Sequence, residues 1–380
     1  MEDKSILTKE YFKSIMSEIF ESEEKEHNIK INSCPVTFVE YFEKAFPKKN
    51  FSLKKLNNFL CTSQSLGVNC LNGNIYIFSS NINKINPIEL RLFWLAKICF
   101  HESRHTIQLN FDDYSYDKFL SNMEYSIMQS KISDYRLRHD SYSIEIGANL
   151  YGTRKAREYF KNKFPDKYEK VKKQIDKLES RYYFDYFTYD AIDTFEKYIT
   201  IQNDFMKKST KFVSKKIENF DKNTKFVFKF PSKKHPVLGI FLGDNYKFKN
   251  IKNIVQNEKF KTLDKRIIYT CFSSKTFLNQ LNINELSLEE KELIKEALEY
   301  TRSLYKNQML FIKQKKENKE ILLIDYLSYQ KELLLKLANI DKYYFALSVN
   351  NNLSNDNVIT INEPTQYIPE YADTHSGFKK

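Results

Sequence analysis

The chain has 380 residues and a formal net charge of +12, and its length exceeds the roughly 100 to 200 residues of one domain, which favours two domains or one domain with a large extension. Aromatic residues make up 15% of the chain, against only 7 glycines and 8 prolines, a composition that excludes a disordered chain and a β-rich, turn-dense fold. The positive charge is weak support for a nucleic-acid partner, because a lysine-rich, arginine-poor composition also follows from an AT-rich genome.

The first part of the chain predicts helices followed by a hairpin. Residues 1–60 have the spacing of amphipathic helices with breaks at Pro35 and Pro47. Residues 66–71 and 74–79 are short β-prone runs joined by Asn72-Gly73, a pair typical of a type I′ turn. Apolar residues occur on both faces of the second run, so we expect the hairpin to be packed.

A buried helix is predicted next. Asn86 has the character of an N-cap and Pro87 that of a first helical residue. The run LFWLAKICF, residues 92–100, is apolar nearly all round, which is typical of a helix buried on most sides. The sequence HESRH follows it directly.

The second half of the chain predicts further helices and one strand-containing segment. A helix is expected at about residues 142–161, with a domain boundary at Phe164-Pro165 and helical structure from there to about residue 220. Residues 226–272 contain strand-like runs (FVFKF, VLGIFL, RIIYTCF). Ser287 and Glu290 predict a capped helix start, residues 321–348 are helical again, and the tail after residue 350 is expected to be extended.

These elements predict an α+β fold that is mainly α. Residues 1–165 would form a domain with a small hairpin or sheet and the HESRH helix, and residues 166–380 a mainly helical region with strands at about 226–272. The five cysteines are widely spaced without a C-x-x-C pair, which favours a reducing compartment. No signal peptide and no run of 18 apolar residues is present, so we expect a cytoplasmic protein without a membrane span.

The residues His101 to His105 form an HExxH motif. Residues four apart on a helix project from one face, so the two imidazoles can bind one Zn²⁺ at about 2.0–2.1 Å each. Glu102 lies one position round the helix, where it can take a proton from the water that zinc activates. Chance would produce the pattern in about one chain in a hundred of this composition, but its place after a buried helix favours a metal site.

A catalytic zinc needs a third protein ligand. Gln108 and Phe111 stand where a metzincin would have glycine and histidine, which excludes that class. Glu145 is the best candidate, because Ala148, Asn149 and Gly152 share its helical face and their small or polar side chains would allow a close approach. Two neighbours remain alternatives at this stage, His139 and Asp140.

HExxH followed by a helix with E-x-x-A-N resembles the gluzincin metallopeptidases, including the compact intracellular minigluzincins, over about residues 70–165. The resemblance implies that Glu145 is the third ligand and that Asn149 supports a ligand histidine. Arg104 and Asn149 depart from the usual pattern, in which an uncharged residue and an aspartate are more common. Neither departure removes a ligand.

The sequence thus predicts a zinc-dependent peptidase with one Zn²⁺ per chain, Glu102 as general base, and a protein or peptide substrate that pairs with the edge of the hairpin near residues 75–78. Oxyanion stabilisation needs a further donor, and the candidates are Tyr142, Tyr151, His139 and His235. The alternative function is a non-catalytic basic binding protein for nucleic acid or a partner protein, in which the motif is vestigial or structural.

Overall fold

The computed structural model describes residues 6–36, 40, 64–69, 74–110, 114–129, 139–202 and 258–349. These residues are mostly helical and include one small sheet, in agreement with the predicted α+β, mainly α class. The turn Asn72-Gly73, the strand-like runs at 226–242 and the tail after residue 350 lie outside the described residues. None of the described helices combines the length and apolar character needed to cross a bilayer.

The chain begins with helix α1, Lys9–His27, whose N-terminus is capped by the side chain of Thr8. Its buried face consists of apolar side chains at helical spacing together with Glu23. Strand β1, Asn32–Val36, follows directly. Pro35 is therefore part of a strand and not the break between two helices that the sequence predicted.

The sheet has three strands in the order β1-β3-β2. Strand β2, Gly67–Asn69, is antiparallel to β3, Asn74–Phe78, with Val68 opposite Tyr76, so the predicted hairpin pairing is confirmed. Strand β1 pairs with β3 in parallel. Both edges of β3 are thus occupied, and the predicted use of residues 75–78 as an edge for substrate is wrong. The edge strands of the described sheet are β1 and β2.

The HESRH motif lies in helix α3, which follows the short helix α2 (Ser79–Ile82) and spans Ile88–Leu109. The predicted cap is wrong by one position, because Pro87 occupies the N-cap position and Asn86 precedes it. The Asn86 side chain accepts a hydrogen bond from Arg91 at 3.1 Å instead of capping the helix. Most apolar side chains of the run are buried, as predicted, with Phe93 and Leu95 completely so, whereas Trp94 is partly exposed.

Further helices follow α3 in the described residues. In chain order they are α4 (Tyr116–Gln129), α5 (Ser143–Lys163), α6 (Pro165–Thr188), α7 (191–202 within the described residues), α8 (Glu258–Lys261), α9 (Lys265–Phe272), α10 (Lys275–Leu278), α11 (Leu288–Glu317) and α12 (Leu323–Val349). Single 3₁₀ turns precede α5 and α11, at His139–Ser141 and Ile283–Glu285. Ser287 and Glu290 form the predicted capping box.

Residues 266–272 (RIIYTCF) form helix α9 and not the predicted strand. Asp264 caps this helix by accepting a hydrogen bond from the backbone N–H of Arg266. All six residues from Ile267 to Phe272 are buried. The β-branched and aromatic content that suggested a strand reflects burial on all sides, and tertiary packing overrides β propensity in such a segment.

Two hydrophobic clusters divide the helices. The first cluster joins α1, α3, α5 and the first half of α6, with Tyr168, Val171 and Ile175 contributed by α6. The second cluster joins α4 to α7 and the helices from α9 to α12, with Phe119 and Met123 contributed by α4. In both clusters, residues before position 165 therefore pack against residues after it. The domain boundary at that residue stays a prediction.

Candidate metal centre

The two histidines of the motif lie on one face of α3. His101 Nε2 and His105 Nε2 are 3.2 Å apart. Glu145, in the first turn of α5, directs one carboxylate oxygen to each of them, at 3.3 Å from His101 Nε2 and 3.4 Å from His105 Nε2. Side-chain exposure is at most 14% for these three groups. Three donor groups that the sequence named thus converge at one buried point.

The approach of α5 to α3 depends on a glycine. A Cβ atom at Gly152 would lie 2.8 Å from the backbone oxygen of Lys97 and 3.0 Å from the backbone nitrogen of His101. Contacts this short with backbone atoms are not tolerated, so only glycine permits the observed separation of the helices. The close approach brings Glu145, two turns earlier in α5, within reach of both imidazoles.

The donor set fits a zinc ion. Ligand atoms that share a tetrahedral zinc at about 2.0–2.1 Å lie about 3.3 Å from one another, which matches the three separations of 3.2, 3.3 and 3.4 Å. Two neutral imidazoles and a carboxylate are also ligands that zinc prefers. His101, His105 and Glu145 are therefore the residues that would hold it.

The charge balance of the three groups also suits a cation. Burial lowers the pKa of His101 to about 4. Burial disfavours charge on His105 as well, but the Glu145 carboxylate outweighs it and raises the pKa of His105 to about 9. At neutral pH the two imidazoles thus carry one extra proton, and one positive charge, beside a carboxylate. A metal ion at this point would take the place of that proton.

Glu102 lies beside the same point. One of its carboxylate oxygens and one ring nitrogen from each motif histidine fall within 4.8 Å of one another. Glu102 is 5% exposed and lines the cavity in front of the histidines. Of the two nearby carboxylates, Glu145 reaches both Nε2 atoms and suits ligation, whereas Glu102 suits proton transfer.

Comparison of the chain with protein-family models, curated proteins and solved structures gave no match. The resemblance to gluzincins therefore rests on the motif residues alone.

The orientation of His105 depends on Gln108, one turn further along α3. His105 Nδ1 lies 2.9 Å from Gln108 Oε1, and Gln108 Nε2 donates to the backbone oxygen of Ile144 at 3.1 Å. Because that backbone oxygen accepts only, the amide of Gln108 must turn its own oxygen towards His105. Nδ1 then carries the hydrogen and Nε2 is left to bind a metal.

Asn149 has a different partner from the one that the gluzincin resemblance implied. Its Oδ1 accepts a hydrogen bond of 2.7 Å from Lys97 Nζ, and its side chain bonds to neither histidine. His101 Nδ1 is buried without a hydrogen-bond partner among the described residues. Gln108 therefore has the orienting role for His105 that was predicted for Asn149. Its position three residues after the second histidine could have indicated this.

Lys97 is a charged residue of the site that the sequence analysis did not identify. It precedes His101 by one helical turn and is 2% exposed. Its ammonium group lies 4.7 Å from the ring centre of Trp94 and 5.0 Å from that of Tyr182. Burial lowers the pKa of Lys97 to about 8, with Glu145, Glu102 and Asp140 opposing the decrease. Lys97 is therefore mainly charged at pH 7.

The metal centre opens into a cavity of about 570 Å³, which is within the usual range for ligand sites. Strand β2 forms one wall, the metal-binding residues form the floor, and Arg181 and Tyr182 of α6 close another side. Gly67 lies against Glu102, because a Cβ atom there would be 3.1 Å from Glu102 Oε1. Asn69 holds this wall to α3 by donating to the backbone oxygen of Glu102 at 2.8 Å.

Glu124 was also missed by sequence reasoning. This residue of α4 is 1% exposed and lines the cavity. It accepts hydrogen bonds from the Ser143 backbone N–H at 2.6 Å and from the Tyr189 hydroxyl at 2.7 Å. Burial raises the pKa of Glu124 to about 7. Glu124 thus fixes the start of α5, two residues before Glu145, and connects it to the second cluster.

Of the four predicted oxyanion donors, the structure places one at the cavity and one away from it. Tyr142 is buried and lines the cavity. Tyr151 faces away from it, since its hydroxyl donates to Glu23 at 2.8 Å on the side of α5 that contacts α1. The side chain of His139 and all of His235 lie outside the described residues. Tyr142 is the candidate that remains at the cavity.

The two alternative third ligands, Asp140 and His139, have less structural support than Glu145. Asp140 lines the cavity but belongs to the exposed 3₁₀ turn before α5. The side chain of His139 lies outside the described part of the structure. Glu145 is the carboxylate that contacts both histidines.

Proposed function

We propose that the protein is a zinc-dependent peptidase that hydrolyses peptide bonds of a protein or peptide substrate. The observation that carries the proposal is the convergence of His101, His105 and Glu145 at mutual distances of 3.2–3.4 Å on the floor of a cavity that Glu102 also lines. A zinc ion held by these three residues would polarise the scissile carbonyl and lower the pKa of water.

Three residues around the cavity have distinct parts in this reaction. Glu102 accepts a proton from the attacking water and passes it to the leaving amine. Gln108 keeps His105 in the tautomer that leaves Nε2 available. Tyr142, at the cavity wall, can donate to the oxyanion.

The outer edge of β2, on the side away from β3, suits an extended peptide. Val68 pairs with Tyr76 of β3, and Phe78 N–H donates to the Leu66 oxygen at 2.8 Å. In an antiparallel pair the residues between such bonds direct their backbone groups away from the partner strand. The backbone groups of Gly67 and Asn69 are therefore directed to the outer edge, where they can pair with a substrate strand next to Glu102.

The experiment that tests the proposal measures zinc and peptide hydrolysis together. Purified full-length protein should contain about one equivalent of zinc, and His105→Ala should lose it. Glu102→Gln should keep the zinc but lose about 10²- to 10⁴-fold of the peptidase rate, because the amide keeps the shape and lacks the basicity.

Three outcomes would contradict the proposal. These are wild-type protein without zinc after purification in its presence, hydrolysis by Glu102→Gln at the wild-type rate, and salt-sensitive retention on DNA by a zinc-free protein. The last would support the alternative of a basic binding protein.

A further inference from the structure

Lys97 is a buried cation with fewer hydrogen-bond acceptors around it than it has hydrogens to donate. An ammonium group has three hydrogens to donate. Among the described residues, Asn149 Oδ1 is the one hydrogen-bond acceptor of Lys97 Nζ, and no carboxylate oxygen lies within 4.0 Å of it. The rings of Trp94 and Tyr182 provide cation–π contacts at 4.7 and 5.0 Å.

This arrangement is unusual because buried charges are normally paired. A lysine needed only to fill space between two rings would be replaced without loss by methionine, which carries no charge to desolvate. A lysine needed only to neutralise Glu145 or Glu102 would contact one of them directly. Lys97 instead presents its ammonium group at the cavity, which it lines together with Trp94 and Tyr182.

We propose that Lys97 binds a carboxylate of the substrate, so that the protein prefers peptides that place a carboxylate in the cavity beside the metal centre. The inference rests on the proposed peptidase function for the identity of the ligand as a peptide. The carboxylate can come from two sources, the C-terminus of a peptide or an aspartate or glutamate side chain.

The other groups of the cavity direct an anion to Lys97. Glu102 and Asp140 repel it from other parts of the cavity wall. Of the other cations that line the cavity, Arg181 is 67% exposed at the rim and lies 3.9 Å from Asp185. The apolar surfaces of Trp94 and Ile98 can accommodate the hydrocarbon part of the residue that bears the carboxylate. A volume of about 570 Å³ leaves room for one or two residues.

The chain contains its own reporter for this site. Trp94 is the single tryptophan of the sequence, and its ring lies 4.7 Å from Lys97 Nζ. A ligand that binds Lys97 therefore changes the fluorescence of one known side chain. The measurement does not depend on catalysis.

The experiment titrates full-length protein, supplied with one equivalent of zinc, with two pairs of probes. N-acetyl-leucine is compared with N-acetyl-leucinamide, which tests a C-terminal carboxylate. The α-amide of N-acetyl-aspartic acid is compared with that of N-acetyl-asparagine, which tests a side-chain carboxylate. In at least one pair the carboxylate should bind about 10- to 100-fold more tightly than its neutral counterpart, as expected for a charge-assisted hydrogen bond.

The decisive variant is Lys97→Met, in which the affinity ratio of the pair should fall to about threefold or less, because the charged donor is gone. Lys118→Met is the matched control, since it removes a positive charge from the same cavity and should keep the ratio. Lys97→Gln serves as a second variant if Lys97→Met does not fold, as judged by circular dichroism.

Three results would overturn the proposal. The first is equal affinity of wild-type protein for the carboxylate and the amide in both pairs. The second is a Trp94 fluorescence that responds to none of the four probes. The third is an unchanged ratio in Lys97→Met, which would mean that zinc and not Lys97 binds the carboxylate.

Failure of the proposed function has a different signature. The wild-type protein could hold no zinc and cleave no peptide, while Lys97→Met still abolishes the carboxylate preference. That result would support the carboxylate-binding site and contradict the peptidase function. If the leucine pair shows the preference, the substrate is cleaved near its C-terminus. If the aspartate pair shows it, the substrate has an acidic residue next to the cleaved bond.

Discussion

At the scale of single residues, the site depends on which carboxylate binds the metal. Glu145→Ala should strip zinc from the protein, because it removes the group that lies 3.3 and 3.4 Å from the two histidines. Asp140→Ala is the matched control, since it removes a carboxylate from the wall of the same cavity, and it should leave the zinc content unchanged. Metal analysis after dialysis decides. Zinc loss in Asp140→Ala with retention in Glu145→Ala would reverse the assignment.

A second prediction at this scale concerns the orientation of His105. Gln108→Leu keeps a side chain of similar size but removes the 2.9 Å contact of the amide oxygen with His105 Nδ1. Loss of such a supporting partner typically lowers metal affinity by about 10- to 100-fold. Competition with a fluorescent zinc chelator measures the change. Asn149→Leu, which removes the partner of Lys97 instead, should lower zinc affinity less; the opposite order would restore Asn149 to the role that the sequence suggested.

At the scale of elements, the contact between α3 and α5 carries the site, and Gly152 permits it. Gly152→Ala should destabilise the protein by about 1–3 kcal/mol through overpacking, even though alanine favours a helix by about 1 kcal/mol over glycine. Gly147→Ala is the control in the same helix, because its nearest contact would be an ordinary 3.4 Å from Gln108 Nε2. It should be neutral or slightly stabilising. Urea unfolding compares the two, and equal effects would show that the helices can separate without loss.

Buried hydrogen bonds to neighbouring helices hold α3 and the start of α5 in place. Ser103, inside the motif, donates to the fully buried Glu23 of α1 at 2.8 Å. Glu124 of α4 holds the first residue of α5 by two hydrogen bonds, of 2.6 and 3.0 Å. The motif in α3 is thus held by α1, and the start of α5 is held by α4.

At the scale of the whole molecule, the two hydrophobic clusters cross the boundary that the sequence predicted. A chain ending at residue 165 would lack Tyr168, Val171 and Ile175 of the first cluster, and the partners of α4 in the second. It would also lack Tyr182, which closes one side of the cavity. We therefore expect this fragment to expose apolar surface, to bind a hydrophobic dye and to have no peptidase activity.

Limited proteolysis of the full chain checks the same point. Helices α5 and α6 should resist cleavage, because both pack into the first cluster. Early cleavage near Phe164-Pro165 that releases a soluble fragment with full peptidase activity would contradict the expectation. It would instead support an independent C-terminal module joined by a linker.

The sequence alone determined the features that depend on neighbours along the chain. The spacing of His101 and His105 on one helical face, the capping box at Ser287 and the antiparallel pairing of β2 with β3 follow from local sequence patterns. The apolar run before the motif correctly indicated a buried helix. These patterns need no knowledge of what packs against them.

The tertiary structure alone decided what meets across the chain. The bond of Lys97 to Asn149 spans 52 positions and that of Glu124 to Tyr189 spans 65, and periodicity carries no signal for such pairs. Residues 266–272 became a helix because burial on all sides gives strands and helices the same apolar composition. The parallel pairing of β1 with β3 placed β3 in the middle of the described sheet and left β1 and β2 at its edges. Long-range packing therefore decided which strands lie at the edges of the sheet and which cation lines the cavity.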